Sequence, residues 1–485
     1  MQWKYNQELP CLERDAAIAL LKDGPDKWNE WVEKNPEANI NFSGGCIDKG
    51  ESGAISFSGF HFPKGLINFG GVHFKGQDLN FDKAVFSGGQ LIFNRANLDF
   101  KSVNFDGIDF GGTNVMFDET VFNSPDGVTF SGSIFSGYVS FHSVKFGVAN
   151  GSVDFSRCQF KDINCNVSFR HSSFKCRRVN FNETVFENNN VDFHATRFEL
   201  TGNDTFELNV TKARFSDAAL NFSNVEFIAG CFHLDFDGSI FNGSVNFQKM
   251  KGTRHIEVFN FRHCTFEKSF NIAHNHFNCI PDLTYTKIAH HVSVDAVTIN
   301  VKKQLNQFVC NEVVDIGDIE RVRRLKNLAE ESKDHQSMID FHIEELRAKR
   351  WVSTKGVFPL LLSYLYDIFG GFGRSYKKPI IWLLMVWVSC AGYYHYASDN
   401  PCIYGSLINA PCTFESFSKA LQYSFTHLMP AIPASKALRQ QNTEYLFGKS
   451  SPDGVLILAV FETMIGALLL FLFILALRNQ FKVKG

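Results

Sequence analysis

VNFDGIDFGGTNVMFDETVF, residues 103–122, contains the pattern that decides the fold of this chain. An aliphatic residue, one spacer and Phe are followed five residues later by a second Phe, and the next Phe comes after seven more. The pattern recurs from Asn41 to about Asn300 and accounts for most of the 52 Phe residues. Because a short repeat of this kind buries its apolar face only by stacking on its neighbours, the sequence predicts a solenoid.

The repeat units are predicted to be very short strands joined by tight turns. Neither the 3.6-residue period of a helix nor the longer alternation of an ordinary strand is present. Corners rich in Gly, Asn, Asp and Ser separate the units, and these residues favour turns. Small insertions near Ser124, Asn150, Asp162 and Gly202 delay the repeat but keep its register. The predicted inward-facing core contains Phe57, Phe62, Phe69, Phe74, Phe81, Phe86, Phe105, Phe110, Phe117, Phe122, Phe141, Phe146, Phe181 and Phe186.

This spacing resembles the pentapeptide-repeat family over residues 40–300. The resemblance implies a mainly β fold, a right-handed quadrilateral β-solenoid in which a central Leu or Phe points inward beside a small residue two places earlier. Alternate faces are two residues longer than the family's unit, so a coil of four faces takes about 24 residues. At a strand spacing of about 4.8 Å, some ten coils make a rod on the order of 50 Å long.

The segments that flank the solenoid have helical patterns. Residues 1–39 are predicted to be an N-terminal helical cap, since the end of a solenoid exposes its core, and Leu20-Leu21-Lys22-Asp23-Gly24 resembles the leader that precedes pentapeptide repeats. A separate binding module is the alternative. Residues 301–351 are predicted to be a helical connector, broken near Lys333-Asp334, that serves either as a coupling or oligomerisation element or as a C-terminal cap. Residues 352–378 form a predicted interfacial amphipathic segment.

Two apolar runs near the C-terminus predict transmembrane helices at residues 379–397 and 454–477. The first run contains no Asp, Glu, Lys or Arg, and the second contains only Glu462. Segments of about 20 apolar residues can cross a bilayer core of about 30 Å. Basic flanks predict that the solenoid and the tail, residues 478–485, are cytoplasmic in a multi-pass protein. The resemblance to pentapeptide-repeat proteins implies a bacterial inner membrane. The predicted membrane anchors are Arg374, Lys377, Lys378, Arg478 and Lys482.

The extracytoplasmic loop between the spans, residues 398–453, contains a possible re-entrant pore helix at residues 414–428. This segment resembles the pore helix of the two-helix potassium-channel-like family, with Ser424 and Thr426 as candidate pore or pore-support residues. Glu462 and Gly466 resemble residues of that family's inner helix. The resemblance implies a homo-oligomer, with a tetramer favoured, around an ion-conducting pore.

The sequence departs from that family at the selectivity filter. Met429-Pro430-Ala431-Ile432-Pro433-Ala434 stands there instead of Thr-Val-Gly-Tyr-Gly, and its prolines constrain the backbone. Potassium selectivity is therefore not predicted. Glu462 has two interpretations, because an acid within a span has either a water path or a partner. It faces a pore and favours cations, or it hydrogen-bonds the re-entrant helix through Thr426 or Ser424.

Cys402 and Cys412 lie in the predicted outer loop, where either a disulfide or two free thiols is expected. The other cysteines have no Cys-x-x-Cys spacing, and Cys158 and Cys264 occupy inward slots of the repeat. We interpret these as packing residues in a reducing compartment.

Other function classes find little support in the sequence. We expect no enzyme activity, cofactor or metal site, because the common catalytic and phosphate-binding motifs are missing. Nucleic acid is an unlikely partner, since 48 Lys and Arg balance 50 Asp and Glu. The expected partners are the lipid bilayer, further copies of the chain, and an unidentified cytoplasmic protein or small molecule bound by the solenoid. The sequence thus predicts an ion-channel-like protein with a sensing or binding solenoid; the alternative is a non-conducting, membrane-tethered scaffold.

Overall fold

The computed structural model describes residues 9–49, 53–161, 167–187, 190–200, 204–305, 311–354, 356–398, 410–429, 435–448 and 451–482. The chain forms a parallel β-solenoid of about 11 turns, followed by helices. It divides into two units, Met1–Ala348 and Lys349–Gly485. Each unit is described by itself.

Most strands of the first unit are short, because most corners of the solenoid end a strand; the longest, such as β7 and β16, continue through a corner. In chain order, the first eighteen are β1 (Cys11–Leu12), β2 (Asn39–Asn41), β3 (Gly45–Asp48), β4 (Ile55–Ser56), β5 (His61–Phe62), β6 (Leu66–Asn68), β7 (Val72–Asn80), β8 (Val85–Phe86), β9 (Gln90–Ile92), β10 (Asn97–Asn104), β11 (Asn114–Met116), β12 (Val121–Asn123), β13 (Gly127–Thr129), β14 (Ile134–Phe135), β15 (Val139–Ser140), β16 (Lys145–Asp154), β17 (Gln159–Phe160) and β18 (Val167–Ser168). The next eighteen are β19 (Ser173–Asn180), β20 (Val185–Glu187), β21 (Val191–Asp192), β22 (Arg197–Glu199), β23 (Thr205–Asn209), β24 (Arg214–Ser216), β25 (Leu220–Asn221), β26 (Glu226–Ile228), β27 (Cys231–Asp235), β28 (Ile240–Phe241), β29 (Val245–Asn246), β30 (Ile256–Asn260), β31 (Thr265–Phe266), β32 (Phe270–Asn271), β33 (Lys287–Ile288), β34 (Val292–Ser293), β35 (Lys303–Leu305) and β36 (Asn311–Val313).

Successive turns of the solenoid add strands to the same sheets. Among the described strands, one sheet has 12 strands, a second has 13, of which nine lie on its main path, and a third has 7. Val115 pairs with Leu91 and with Val139, its counterparts 24 residues away in the turns before and after. All these pairs are parallel, whereas β35 and β36 form an antiparallel hairpin. The predicted coil of about 24 residues is confirmed for these turns.

The core consists of columns of phenylalanine rings, one ring per turn. In one column Phe105 stacks on Phe130 and Phe130 on Phe155, with ring centroids 5.0 and 4.8 Å apart. All fourteen Phe residues that we expected in the core are buried, with at most 6% of their surface exposed. The stacking distance matches the separation of neighbouring strands, so the parallel ladder itself sets the ring spacing.

In several turns a second inward position carries Ser, Thr or Cys, whose side chain bonds the preceding turn, whereas Ala84 and Ala96 occupy it in other turns. Thr184 Oγ1 donates to the carbonyl oxygen of Phe155 at 2.7 Å, and Ser172 Oγ to that of Phe141 at 2.6 Å. Cys158 and Cys264 occupy the same slot, with their sulfur atoms 3.0 and 2.9 Å from the carbonyl oxygens of Phe130 and Phe236. Where the slot carries one of these residues, the side chain supplies a donor to a buried carbonyl.

Many corners use a left-handed residue that is not glycine. Lys83, Arg95 and Glu119 have φ near +60°. The turn closes when the amide of Ala84 donates to the carbonyl of Phe81 at 2.9 Å, and Asn80 Oδ1 accepts from the amide of Asp82 at 2.8 Å. We expected Gly, Asn and Asp to supply the unusual angles. At the corner of Lys83 an Asn instead precedes the Phe and braces the turn with its side chain.

The insertions lengthen corners without breaking the ladder. The insertion near Asn150 coincides with a shift of register between Val148 and Ser152, after which β16 resumes pairing with β19. The insertions near Asp162 and Gly202 fall on residues 162–166 and 201–203, outside the described part of the chain.

Helices stand at both ends of the first unit: α1 (Arg14–Lys22), α2 (Pro25–Lys34), α3 (Asp318–Glu331) and α4 (His335–Ala348). Trp28 of α2 is fully buried and packs edge-on against Phe60 and Phe62, with its ring nitrogen donating to the carbonyl of His61 at 2.8 Å. The break between α3 and α4 lies at residues 332–334, where Lys333 has φ +60°, so the break predicted near Lys333-Asp334 is confirmed.

The second unit is helical: α5 (Val357–Gly370), α6 (Lys377–Tyr396), α7 (Ala410–Leu428), α8 (Ser435–Phe447) and α9 (Asp453–Lys482). Within the described residues, one helix, Asp453–Asn479, is long and apolar enough to cross a membrane. α6 is 20 residues long, but its Trp, Tyr and His residues make it less apolar. α8 was not expected, because its polar sequence, SKALRQQNTEYLF, resembles a loop.

Candidate functional site

The candidate site is the contact among α6, α7 and α9 in the second unit. α6 and α9 run antiparallel. Asn479 Nδ2 donates to the carbonyl oxygen of Gly373 at 3.2 Å before α6 begins. At the opposite ends, a Cβ added at Gly454 would lie 3.0 Å from the hydroxyl of Tyr393. Cys390, Tyr394, Tyr423, Phe447 and Val455 share one buried cluster, so α7 and α8 pack on this pair of helices.

Glu462 joins the three helices. Its side chain is 1% exposed. The hydroxyl of Tyr394 on α6 donates to Glu462 Oε2 at 2.7 Å, and Ser424 Oγ on α7 contacts Glu462 Oε1 within hydrogen-bond distance. Ser424 Oγ also lies 3.0 Å from the carbonyl oxygen of Trp387. Both carboxylate oxygens therefore have partners within the subunit, which is the arrangement that an acid in an apolar helix requires.

Of our two interpretations of Glu462, the geometry agrees with a hydrogen bond to α7, the helix predicted to be re-entrant. Ser424 makes that bond, and Thr426 does not: Thr426 Oγ1 donates to the carbonyl oxygen of Tyr423 in its own helix at 2.6 Å. The sequence analysis missed Tyr394, because a tyrosine among the other aromatic residues of α6 carries no signal of its partner 68 residues away.

Gly466 allows α7 to approach α9 closely. A Cβ at this position would lie 2.9 Å from Leu428 Cδ2 and 3.2 Å from both Leu428 Cα and the Leu428 carbonyl oxygen. Small residues at such crossings let helix backbones approach in membranes. A further hydrogen bond joins α6 to α7: the ring nitrogen of Trp387 donates to the carbonyl oxygen of Leu421 at 2.8 Å. The end of α7 is thus held by both neighbouring helices.

α8 contributes polar groups next to the end of α7. Arg439 Nη2 donates to the carbonyl oxygen of Thr426 at 2.7 Å, where the last carbonyls of α7 carry partial negative charge. Asn442 is fully buried, and neither of its amide atoms has a hydrogen-bond partner in the described part of the chain. No sequence motif indicated a role for Arg439 or Asn442.

The predicted membrane anchors differ in role. Lys378 Nζ donates to the carbonyl oxygen of Asp367 at 3.0 Å, whereas Arg374, Lys377 and Arg478 are exposed. Lys482 and the pair Cys402 and Cys412 have side chains outside the described residues, so the proposed disulfide stays a prediction.

A buried ion pair that the sequence analysis missed holds the second half of α5. Arg350 Nη2 contacts Asp367 Oδ2 at 2.9 Å, and its guanidinium lies over the Tyr364 ring at 4.4 Å from the centroid. The two side chains are 9% and 15% exposed. The pair therefore fixes α5 more firmly than an exposed pair would.

Within the described residues, no group of three or more His, Cys, Asp or Glu side chains is placed to hold a metal ion. Comparison with known proteins adds no identity: no family model matches the chain, and no curated protein or solved structure matches it.

Proposed function

We propose that the chain is a membrane protein whose second unit forms an oligomeric, channel-like pore domain, and whose solenoid is a cytoplasmic module for sensing or for binding a partner. The observation that carries this proposal is the attachment of α7 to the two antiparallel helices α6 and α9 through Ser424, Glu462 and Tyr394. A further helix held against two antiparallel spans is a common plan for two-span channels.

The membrane assignment rests on α9 and extends to α6. α9 is long and apolar enough to span, and its side chains Ile457, Val460, Phe461, Met464 and Phe471 are each more than half exposed in one subunit. Exposed apolar surface of this extent needs lipid or another subunit to cover it. In the proposal α6 is the second span, with its basic flank on the cytoplasmic side.

An oligomer is required because two helices do not enclose a conduit. We favour a tetramer, by resemblance to two-span channels. The solenoid is proposed to be a right-handed, pentapeptide-repeat-like coil capped by α1 and α2, in a protein of a bacterial inner membrane. Potassium selectivity is not part of the proposal, because the filter glycines are missing from Met429 to Ala434.

The test is to measure the mass of the purified full-length protein in mild detergent and the flux of potassium, sodium and chloride after reconstitution in liposomes. The informative variant is Ser424→Ala, which removes a contact between α7 and Glu462 and should change flux. The matched control is Thr463→Val, since Thr463 Oγ1 donates only to Ala459 of its own helix at 2.8 Å. An oligomer whose flux changes in Ser424→Ala but not in Thr463→Val supports a pore.

A non-conducting scaffold is the second candidate. The hydrogen bonds of Glu462 favour this candidate. Both of its carboxylate oxygens have partners within one subunit, so a water-filled pore is not needed to explain a buried acid there. A strictly monomeric protein, or an oligomer that leaves liposomes tight under varied ions and voltages, would support the scaffold and overturn the pore.

A further inference from the structure

A cavity of about 350 Å³ lies against an open strand edge in the first unit. β30 is the last strand on the main path of the 13-stranded sheet and pairs with β27 on one side. On its other side Asn260 forms a bridge with Asp282: the amide of Asp282 donates to the carbonyl oxygen of Phe259, and the amide of Phe261, just after β30, donates to that of Asp282, both at 2.8 Å. Among the described residues β30 makes no further backbone hydrogen bond toward that side. Most of this edge is therefore available to another strand.

α3 and α4 contact corners of the last turn next to β33 and β34, the last strands of the other two sheets. Arg324 of α3 donates to the carbonyl oxygens of Leu283 and Thr286 at 3.3 and 3.2 Å. Ser337 Oγ of α4 lies 3.4 Å from the carbonyl oxygen of Val294. These contacts satisfy backbone groups that the last turn would expose. Beside β30, Asp318 and Arg321 of α3 line the cavity.

The charges around the cavity favour a cationic ligand. Arg321 contacts three carboxylates, those of Asp282, Asp315 and Asp318, at 3.0, 2.6 and 2.7 Å. Of these, Asp315 is the most accessible, with about half of its side chain exposed. The complete lining contains four acidic residues against three basic ones, so it has one surplus negative charge.

The wall of the cavity is partly apolar. Val258 and Val314 line it with exposed side chains, and Phe259 and Ile280 complete this side. The volume lies within the range of about 300–1,000 Å³ typical of small-ligand sites. A few residues of extended chain fit such a space, whereas a folded domain does not.

We propose that this cavity binds an extended peptide segment of a partner protein, which adds to the edge of β30 and places a basic side chain against Asp315 and Asp318. The segment's backbone pairs with the open edge of the strand, and its apolar side chains contact Val258 and Val314. This inference rests on the proposed partner-binding role of the solenoid and does not depend on ion conduction.

The test uses the full-length protein in detergent and fluorescently labelled, blocked pentapeptides, with binding followed by fluorescence anisotropy. The probe is Val-Arg-Val-Arg-Val. One comparison peptide has Glu in place of Arg, and another keeps Arg but carries an N-methyl group on the central amide, which removes a backbone donor. We expect the Arg peptide to bind and both comparison peptides to bind at least about fivefold more weakly.

Matched protein variants assign the binding to the cavity. Asp315→Asn removes an exposed charge and should weaken the Arg peptide up to about fivefold, whereas Asp295→Asn, at an exposed carboxylate elsewhere on the solenoid, should not. Val258→Lys adds a positive charge inside the cavity and should abolish binding, whereas Val85→Lys, at a similarly exposed valine of β8, should not.

Equal binding of the Arg and Glu peptides, or full binding of the N-methylated one, would overturn the proposal. Unchanged affinity in Asp315→Asn and Val258→Lys would also overturn it. Because these readouts are independent of flux, a failure here is distinguishable from a failure of the pore.

Discussion

At the scale of single residues, the solenoid depends on polar atoms inside an apolar core. Thr184, Ser172 and Cys158 each occupy a slot between Phe columns and contact a carbonyl oxygen of the preceding turn. Such a bond contributes only about 1 kcal/mol, but its loss leaves a buried group less well satisfied. In these turns the small residue therefore contributes a donor as well as a fit, whereas Ala84 and Ala96 fill the same slot without a side-chain donor.

Thr184→Val tests this selection. Valine has nearly the same shape but cannot donate to the carbonyl of Phe155, so we expect a loss of about 1 kcal/mol of solenoid stability. Thr184→Ser should stay near wild type, because Ser fills the same slot in other turns. The urea midpoint of the full-length protein measures both, with Thr205→Val at an exposed position as the control. Equal midpoints for Thr184→Val and wild type would contradict the role of the bond.

The buried thiols predict a loss of stability in alkali. Burial raises the pKa of Cys264 and of Cys176 to about 12 in the folded chain, whereas an unfolded thiol titrates near about 8.5. The folded state therefore binds the proton more tightly. The stabilisation is complete below about pH 8.5 and is lost progressively as the pH rises toward about 12.

Cys264→Ser removes one thiol whose pKa differs between the folded and the unfolded chain, and so should reduce the pH dependence of stability. We expect the dependence of unfolding free energy on pH between 9 and 11 to become shallower by about 1.4 kcal/mol per unit. Denaturant unfolding at several pH values measures the slope, and Cys46→Ser at an exposed position is the control. Identical slopes for wild type and Cys264→Ser would refute the assignment.

At the scale of elements, close packing positions α7. Two side chains from neighbouring helices, Tyr394 and Ser424, meet the carboxylate of Glu462, and Gly466 lets the end of α7 touch α9. Each of these contacts joins two different helices, so the position of α7 depends on the packing of all three. The polar helix α8 belongs to the same packing, because Arg439 reaches the last turn of α7.

Gly466→Ala tests the crossing. The added methyl group meets the backbone of Leu428, which moves less easily than a side chain, so we expect a destabilisation of about 1–3 kcal/mol. Gly392→Ala is the matched control, since a Cβ at Gly392 meets nothing within 4 Å; helix propensity should make that variant neutral or more stable. Thermal unfolding in detergent measures both. Equal stability of the two variants would show that the close approach of α7 to α9 at Gly466 does not contribute to stability.

At the scale of the whole molecule, the solenoid behaves as a stack in which each turn contacts its neighbours, so damage at an end should spread inward from that end. Trp28 lies at the N-terminal end, fully buried against the first turns. α3 and α4 contact the last turn through Arg324 and Ser337. The two ends are consequently where the stack is most vulnerable.

Trp28→Ala should fray the first turns and leave the middle intact. We expect a loss of about 3–5 kcal/mol for this buried side chain and faster hydrogen exchange near Phe57 and Phe62 than in wild type. Exchange around Phe155 should stay unchanged. Trp31→Ala is the control, because Trp31 is only half-buried. Uniformly faster exchange along the solenoid would show that it unfolds as one unit instead.

Much of the architecture follows from local pattern. The Phe spacing predicted the solenoid and its coil of about 24 residues, because a repeat that stacks on itself has the same neighbours in every turn. Helical periodicity likewise predicted the break at Lys333. α8 was missed, because its polar sequence becomes helical in contact with α7 and α9, which local propensity does not contain.

The sequence by itself determined what repeats or is local: the stack of Phe columns, the inward slots occupied by Cys158 and Cys264, and an apolar helix at the C-terminus. Tertiary structure alone decided which distant groups meet. Tyr394 and Glu462 are 68 residues apart, and Arg321 reaches Asp282 from 39 residues away. A spacing pattern records the backbone geometry of its own segment, whereas a contact between segments depends on how their packed surfaces fit, and this fit exists only after the chain has folded.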